Sequence, residues 1–572
     1  MCETEYLLFK FKCPDLATIA LGSALILTAP TAQAQGLAGP YLAAVQASYR
    51  NDYVTAAQFF TEAVANDLEN TYLLQNAVMN NVVAGNIQTA VPLAERLAGL
   101  EADRQIAGLV LVSDAIADED FEKAAGYLND EAFGFNTLLN GLLKGWVAAG
   151  QGDMTSAQEN LDGLGQESGF GPLGQYHKAL VLALAGNFDG AAEIFAGDEN
   201  GPLRVSRASL VAHVQVLLQL DQRDDAIAVI EEAGGANDPE LAELKLRIEG
   251  GEAIQFDAVS SPKDGAAEVF LTLATALSRE EADVFALLYA RLAQHVRPDY
   301  VDALLLSADI LDAQEQYELA IADYDRVPET SGVYRDAEIG RAGALSASGD
   351  VGGAVEALNS LSENYPSDAF IHISLGDTYR SEERYQDAVE SYSKAISLVE
   401  EEQPSHWRNY YVRGISYERL DQWENAEADF RKALELQPGQ ALVLNYLGYS
   451  LVEKNMKIDE AREMIEEAVA GDPDNGYITD SLGWVLYKIG AYEEAVPHME
   501  RAVELLPSDP VINDHLGDVL WKVGRRNEAV FQWKRALSFA EPSDEADPER
   551  IRRKIEVGLD VVLEDEQASS GN

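Results

Sequence analysis

Small residues, large apolar residues and prolines recur at regular intervals through the C-terminal half of the chain. Gly376, Gly414, Gly448, Gly483 and Gly517 follow one another at intervals of 38, 34, 35 and 34 residues. If each glycine is counted as position 8 of a repeat, alanine recurs at positions 20 and 27, and a large side chain occupies position 24. A self-similar period of this length predicts a stack of helical hairpins.

Packing explains the residue types within one repeat. The small residues at positions 8, 20 and 27 allow two helices, A and B, to approach closely, and we expect the large residue at position 24 to fill the gap to the next repeat. Pro438, Pro473 and Pro507 close three repeats, and proline ends helix B because it lacks the amide hydrogen that a helix interior needs. One hairpin cannot bury its apolar face alone, so the hairpins are expected to stack.

The same phase extends toward the N-terminus with more divergent residues. Position 8 is occupied, in order along the chain, by Ala44, Val78, Val112, Gly145, Ala179, Val214, Ala274, Ala308 and Ala342. The pattern therefore predicts about fourteen hairpins. One interval breaks the rule, since Val214 and Ala274 are 60 residues apart. The extra segment contains Leu241 to Ile248, a candidate helix, and then a glycine- and serine-containing loop.

These intervals divide the chain into segments. We predict a divergent N-terminal array, 35–240, a connector, 241–265, and a regular C-terminal array, 266–542. The last segment, 543–572, is predicted to hold a capping helix and a polar tail. The helix begins at Asp547-Pro548-Glu549, where proline and acidic residues favour a first turn, and it ends near Leu563.

Residues 1–34 have the features of a cleavable signal peptide. Two lysines precede an apolar run, Leu16 to Thr28, and Ala32-Gln33-Ala34 forms an A-x-A cleavage pattern. We expect cleavage between Ala34 and Gln35, and hence a periplasmic protein of a Gram-negative bacterium. The run is too short for a membrane-spanning helix, which needs about 20 apolar residues. Both cysteines of the chain lie within this segment, so cleavage would leave the mature chain without a thiol.

Leucine precedes the glycine at position 8 in four of the five C-terminal repeats. The period, these Leu-Gly pairs and the alanines closely resemble those of the tetratricopeptide repeat (TPR) family. The resemblance implies an all-α protein, an α-solenoid whose hairpins form a right-handed superhelix. It also implies a non-enzymatic scaffold or adaptor that binds a protein or peptide partner. With its leader, the chain resembles exported bacterial TPR proteins that act in envelope assembly, secretion or export. Two alternatives stay open: a structural spacer subunit of a stable envelope complex, and a cytoplasmic TPR regulator if the leader is not cleaved.

The resemblance also places candidate binding residues, because positions 2, 5, 9, 12 and 13 of helix A line a concave groove in TPR proteins. The candidate protein-binding residues are Tyr411, Asn445, Tyr449, Tyr477, Asp480, Trp484, Tyr487, Asp514 and Trp521. Exposed aromatic rings beside Asp and Asn are typical of a peptide-binding surface; the alternative is that some of these rings pack as core. TPRs that bind chaperone C-termini hold two carboxylates with Lys and Asn. Here the corresponding residues are Tyr411, Ile415, Asp480 and Asp514, so the groove is expected to prefer neutral or basic extended segments.

Charge and motif content narrow the function further. The chain has 42 Lys and Arg against 97 Asp and Glu, a formal net charge of -55, which repels a phosphate backbone and predicts no nucleic-acid partner. The seven histidines are scattered without the paired spacing of a metal site. No Walker A or G-x-S-x-G motif occurs. We therefore predict no catalytic residues, no metal and no cofactor.

Overall fold

The computed structural model describes residues 37–100, 104–166, 170–197, 201–234, 238–280, 283–540 and 546–570. Within these ranges the chain forms 31 α-helices, and consecutive helices pair as hairpins. The all-α hairpin fold predicted from the repeat is confirmed, and so is the number of hairpins. The proposed signal peptide and its cleavage site at Ala34 and Gln35 lie outside the described residues. None of the helices in these ranges combines the length and apolar character that a membrane crossing requires.

The described part of the chain divides into two compact units, one up to Ala107 and one from Gly108 onward. The first unit contains two hairpins. Their helices are α1 (Ala38–Ser48), α2 (Tyr53–Asn66), α3 (Thr71–Val83) and α4 (Ile87–Ala98), and α5 (Gln105–Ala117) begins at the boundary. The core of this unit is built from alanine, leucine and valine side chains together with Phe60.

The second unit contains the remaining hairpins. Its first part comprises α6 (Phe121–Asn129), α7 (Thr137–Gly150), α8 (Met154–Gly163), α9 (Gly171–Leu184), α10 (Phe188–Ala196), α11 (Arg207–Gln219), α12 (Arg223–Glu232) and the unpaired α13 (Pro239–Glu249). It continues with α14 (Pro262–Ser278), α15 (Asp283–Val296), α16 (Val301–Ala313), α17 (Tyr317–Tyr324), α18 (Tyr334–Ala347), α19 (Val351–Asn364), α20 (Ala369–Ser381) and α21 (Tyr385–Ser397). The last hairpins are α22 (Trp407–Arg419) with α23 (Trp423–Leu436), α24 (Ala441–Glu453) with α25 (Ile458–Gly471), α26 (Gly476–Lys488) with α27 (Tyr492–Leu505), and α28 (Pro510–Lys522) with α29 (Arg526–Phe539). Two further helices, α30 (Pro548–Val557) and α31 (Leu559–Ser570), follow.

The residue at position 24 packs within its own hairpin as well as toward the next repeat. It lies over position 8 of its own hairpin: a Cβ added to Gly376 would meet the ring of Tyr392 at 2.4 Å, and one added to Gly517 would meet Trp533 at 2.4 Å. The expected contact with the next repeat is also present, since the ring of Phe430 lies 5.3 Å from that of Tyr446 on the following A helix. The large side chain therefore occupies the space that glycine leaves between helices A and B of one repeat. The alanines at positions 20 and 27, Ala529 and Ala536 in the last hairpin, are fully buried beside it.

Hydrogen bonding reinforces this contact in three hairpins. The hydroxyl of Tyr392 donates to Asp377 at 2.7 Å, and Nε1 of Trp533 donates to Asp518 at 2.9 Å. Tyr324 and Asp309 form the third such pair, at 2.7 Å. In each pair the acceptor lies at position 9, directly after the small residue at position 8. A polar aromatic residue at position 24 thus satisfies its donor within the hairpin that it fills.

The turn between helices A and B repeats one backbone conformation. Position 15 has a positive φ in every hairpin from α16 onward, with glycine at Gly349, Gly490 and Gly524. Other side chains occupy the same left-handed conformation elsewhere, at Glu315, Glu383, Asp421 and Asn455. The turn before α25 has a second left-handed residue, Lys457, so that turn differs from the others.

The C-terminal segment departs from its predicted form. Two helices, α30 and α31, take the place of one capping helix, and the polar tail predicted from Glu564 is helical up to Ser570. Gly558 separates the two helices with φ of +88° and lies against Trp521, whose ring a Cβ would meet at 2.6 Å. A left-handed residue in close contact with an indole ends one helix and redirects the chain into the next.

Candidate groove on the A helices

A pocket of about 710 Å³ lies along the A helices of the last four hairpins. It extends from the end of α22 across α24 and α26 to the first turns of α28. The lining residues are Glu418, Arg419, Asn445, Tyr446, Tyr449, Ser450, Glu453, Lys454, Tyr477, Asp480, Ser481, Asp509, Pro510, Val511, Ile512 and His515. The hairpin spacing alone creates this shape, because successive A helices lie side by side.

Four of the candidate binding residues line this pocket: Asn445, Tyr449, Tyr477 and Asp480. Tyr477 is 59% exposed, whereas Tyr449 is half-buried. Among the described residues, Oδ1 of Asn445 is a buried acceptor that receives no hydrogen bond. The lining therefore combines an exposed aromatic ring with amide and carboxylate groups.

Asp480 is part of the pocket wall and is already paired. Its carboxylate lies 3.0 Å from Nδ1 of His515; Asp480 is buried and the His515 side chain is 11% exposed. Burial acts to lower the pKa of His515, but the carboxylates of Asp480, Asp514 and Asp518 outweigh burial and raise this pKa. The pair thus joins α26 to α28 and sets the floor of the pocket.

Trp484 and Tyr487 lie behind the pocket surface. The indole of Trp484 is stacked between the ring of His515, at 3.8 Å between centroids, and that of Tyr487, at 4.8 Å. Its Nε1 donates to Glu453 at 2.8 Å. Trp484 is buried by these contacts, so it holds neighbouring A helices together and does not itself face the pocket.

Tyr411 is half-buried in an aromatic cluster. Its ring lies 5.8 Å from that of Trp407, 6.1 Å from Phe430 and 5.9 Å from Tyr446. Burial raises the pKa of Tyr411. The cluster packs α22 against α23 and α24, and it is Tyr446, not Tyr411, that lines the pocket.

Asp514 and Trp521 contact the C-terminal helices instead of the pocket. Nζ of the fully buried Lys554 lies 2.7 Å from Asp514 and 2.7 Å from Asp518. Nε1 of Trp521 donates to Asp560 at 3.0 Å. Helices α30 and α31 therefore cover the concave positions of the last hairpin, and the groove residues expected there stabilise the cap.

Two aromatic lining residues were missing from the sequence prediction. Tyr446 and His515 both lie at position 6 of helix A, next to the groove position 5. An aromatic residue at position 6, beside the polar residue at position 5, would have been the signal, since a helix face about 100° wide includes both. No cluster of three or more His, Cys, Asp or Glu side chains that could hold a metal ion occurs in the described ranges.

Stacked A and B helices with a groove along the A helices define a helical-hairpin repeat protein. A tetratricopeptide repeat model matches residues 339–406, 373–441 and 447–510, so the chain contains tetratricopeptide repeats in the part that holds most of the pocket. The resemblance inferred from the repeat pattern is confirmed for these segments.

Known proteins with similar sequences match short stretches of the chain. The identity is 32% over 109 residues with a TPR repeat-containing protein of Pseudomonas aeruginosa, which covers 19% of this chain and 18% of that protein. It is 28% over 96 residues with the mitochondrial import receptor subunit TOM70 of Rattus norvegicus, covering 17% and 15%. A tetratricopeptide repeat protein 36 homolog of Drosophila melanogaster is 32% identical over 114 residues, covering 20% of this chain and 61% of that protein. The chain thus spans less than two thirds of each of these relatives.

Solved structures give broader but weaker matches. The Cut9–Hcn1 hetero-tetramer of the APC/C is 15% identical over 88% of this chain and 86% of that chain, with a TM-score of 0.32. A MamA protein is 20% identical over 30% of this chain and 91% of that chain, with a TM-score of 0.26. At these TM-scores neither structure informs the shape or the function of this chain.

Proposed function

We propose that this protein is a non-enzymatic binding scaffold that takes up an extended peptide segment of a protein partner in the pocket along α22, α24, α26 and α28. The observation that carries the proposal is the pocket itself, which Asn445, Tyr449 and the 59% exposed Tyr477 line. A peptide there would pack against the tyrosine rings and form hydrogen bonds with the polar lining. Such a preformed groove loses little conformational freedom on binding.

The charges around the pocket favour a neutral or basic segment. Glu418, Glu453, Asp480 and Asp509 line the pocket, against the basic Arg419 and Lys454. The field of a chain with a net charge of -55 acts in the same direction. An acidic segment would be repelled on both counts, whereas a segment with one or two lysines would be attracted.

We further propose that the scaffold works in the periplasm, in envelope assembly, secretion or export. The support is the sequence of residues 1–34, with its apolar run and its A-x-A pattern. Expression of the chain in a Gram-negative host, fractionation and N-terminal sequencing test this part. A mature N-terminus at Gln35 in the periplasmic fraction agrees with it, and a full-length cytoplasmic chain contradicts it.

The binding proposal is tested with extended peptides selected from a displayed random library on the purified chain. The affinity of a selected peptide is then measured by isothermal titration calorimetry for Asn445→Ala, Tyr449→Ala and Tyr477→Ala. Each variant should bind at least about tenfold more weakly, because a lost peptide hydrogen bond or aromatic contact costs at least about 1.4 kcal/mol at such a site.

A matched control comes from the other helix layer. Phe531 on α29 is 60% exposed, nearly the same as Tyr477, so Phe531→Ala removes an equally exposed ring outside the pocket. It should leave the affinity unchanged. Equal losses for Phe531→Ala and Tyr477→Ala, or unchanged binding by all pocket variants that retain their helicity, would refute the proposed site.

A further inference from the structure

Helix α14, the first helix after the predicted connector, packs against α7 and α9 of earlier hairpins. The contact is close at Gly265, where an added Cβ would lie 2.3 Å from the indole of Trp146. Nζ of Lys263 donates to the carbonyl oxygen of Ala117 at 2.8 Å. The junction between the earlier and later hairpins of the second unit is therefore a packed interface, although residues 250–260 before it form no helix.

A buried carboxyl group lies at the centre of this junction. Glu268 of α14 is 5% exposed. The hydroxyl of Tyr176 on α9 donates to its Oε1 at 2.9 Å, and the hydroxyl of Tyr300, between α15 and α16, donates to its Oε2. One side chain thus links three segments that are distant in the sequence.

The other groups that face Glu268 leave its charge without a direct cationic partner. Asp302 of α16 is the nearest additional acid, and it acts against ionisation. Arg297 at the end of α15 favours ionisation from a distance, while its guanidinium lies over the ring of Tyr300 at 4.7 Å. On the α9 side, His177 accepts a hydrogen bond from Trp146 at 3.0 Å, and burial lowers its pKa to about 3, so it stays neutral.

We propose that pH controls the packing of this junction. The protonated carboxyl of Glu268 holds α14 against α9, and its ionisation loosens the contact between the earlier and later hairpins. The geometry provides the reason, since Glu268 is 5% exposed and ionisation would leave a buried charge that two phenol donors only partly offset. A change of pH would then alter the packing of the later hairpins on the earlier ones.

Glu268 is expected to titrate at a pH that experiments on the folded protein can reach. Burial raises the pKa of Glu268 from 4.5 to about 7, against the lowering effect of the two tyrosine hydrogen bonds. The packed junction holds the proton of Glu268 more tightly than the open junction does. The stabilising contribution of Glu268 to the junction is therefore fully present below pH 4.5 and is lost as the pH rises through about 7. The junction is therefore expected to be tight at pH 5 and loose at pH 8.

Hydrogen exchange of the full chain, followed by mass spectrometry, measures this directly. The protection of α14 is divided by that of α24 in the same sample, so the intrinsic effect of pH on exchange cancels. Between pH 5 and pH 8 the ratio should fall on the order of 50-fold in the wild type. In Glu268→Gln, which cannot ionise but keeps the shape of the side chain, the ratio should change by less than about threefold.

Two further variants complete the test. Tyr300→Phe removes a hydrogen-bond donor that favours the carboxylate. The fall in the ratio of α14 to α24 protection should therefore move to higher pH. Glu338→Gln, at a buried glutamate paired with Arg341 at 2.7 Å on α18, should keep the wild-type profile. The proposal is overturned if Glu268→Gln shows the same fall as the wild type, or if the midpoint in Tyr300→Phe does not move.

Discussion

Replacement of Gly517 by alanine tests the packing that defines each hairpin. A Cβ at this position in α28 would lie 2.4 Å from both Cδ1 and Nε1 of Trp533. The indole cannot turn away easily, because it is fully buried and its Nε1 donates to Asp518 at 2.9 Å. Its ring also lies 5.3 Å from that of Trp521. Relief of the overlap must therefore come from separation of α28 and α29.

The magnitude follows from two opposing effects. Overpacking of a rigid core site costs about 1–3 kcal/mol of unfolding free energy, whereas alanine in place of glycine gains about 1 kcal/mol in a helix interior. The overlap at Gly517 is severe and its partner is rigid, so we expect a net loss of about 2 kcal/mol. At Gly483 the overlapping atoms belong to the flexible side chain of Met499, the nearest at 2.7 Å. The two effects should nearly cancel there.

A third glycine supplies the control with the opposite sign. Gly343 lies in the interior of α18, is exposed, and has nothing within 4 Å of an added Cβ. Gly343→Ala should therefore stabilise its helix by up to about 1 kcal/mol. Urea unfolding followed by far-ultraviolet circular dichroism, together with hydrogen exchange of α18, α26 and α28, measures all three variants. The packing argument fails if Gly517→Ala is as stable as Gly343→Ala, or if Gly483→Ala is the most destabilised of the three.

Two further predictions concern the turns and the pocket floor. Glu383 and Gly490 both have a positive φ, +56° and +82°. Glu383→Gly should therefore stabilise the chain by up to about 1 kcal/mol, and Gly490→Ala should destabilise it by about 1 kcal/mol. Shifts of the denaturant midpoint in opposite directions would bear this out, and equal shifts would contradict it. The raised pKa of His515 means that this residue stabilises α26 and α28 below pH 6.5, its ordinary pKa, and that the contribution is lost as the pH rises through the raised value. His515→Phe, which keeps a ring against Trp484, should flatten the pH dependence of hydrogen exchange in these two helices, and an unchanged profile would exclude this role.

The hairpins could be predicted from the sequence because their packing depends on residues at short, fixed separations. Gly517 and Trp533 are sixteen positions apart, and the same pairing of small and large residues recurs at Gly376 and Tyr392. The contact of position 24 with position 8 of its own hairpin could not be deduced, since a large residue can face its own hairpin, the next one or both with the same period. The structure shows both contacts, through the overlap distances at position 8 and the ring contacts between hairpins.

The candidate site was harder to predict because helix position does not determine exposure. Tyr477 and Trp484 both lie at groove positions, yet Tyr477 is exposed and Trp484 is stacked between two rings. The difference depends on His515, one repeat further along the chain. The contact of Glu268 with Tyr176 lacks any periodic signal, since 92 residues separate them, and so it could be found only from the three-dimensional structure.

The C-terminal helices explain why the pocket ends at α28. Lys554, together with the guanidinium of Arg550 3.9 Å and 3.8 Å away, offsets the charges of Asp514 and Asp518, two acids at groove positions of the last hairpin. Burial raises the pKa of Asp518 despite these cations, which reflects how poorly the site is solvated. An acidic solenoid that ended without such cations would expose both carboxylates at its last A helix and would extend its negative groove to the end of the array. The cap therefore closes the terminal hairpin and also restricts the open acidic groove to the segment between α22 and the start of α28, where Asn445 and the two tyrosines lie.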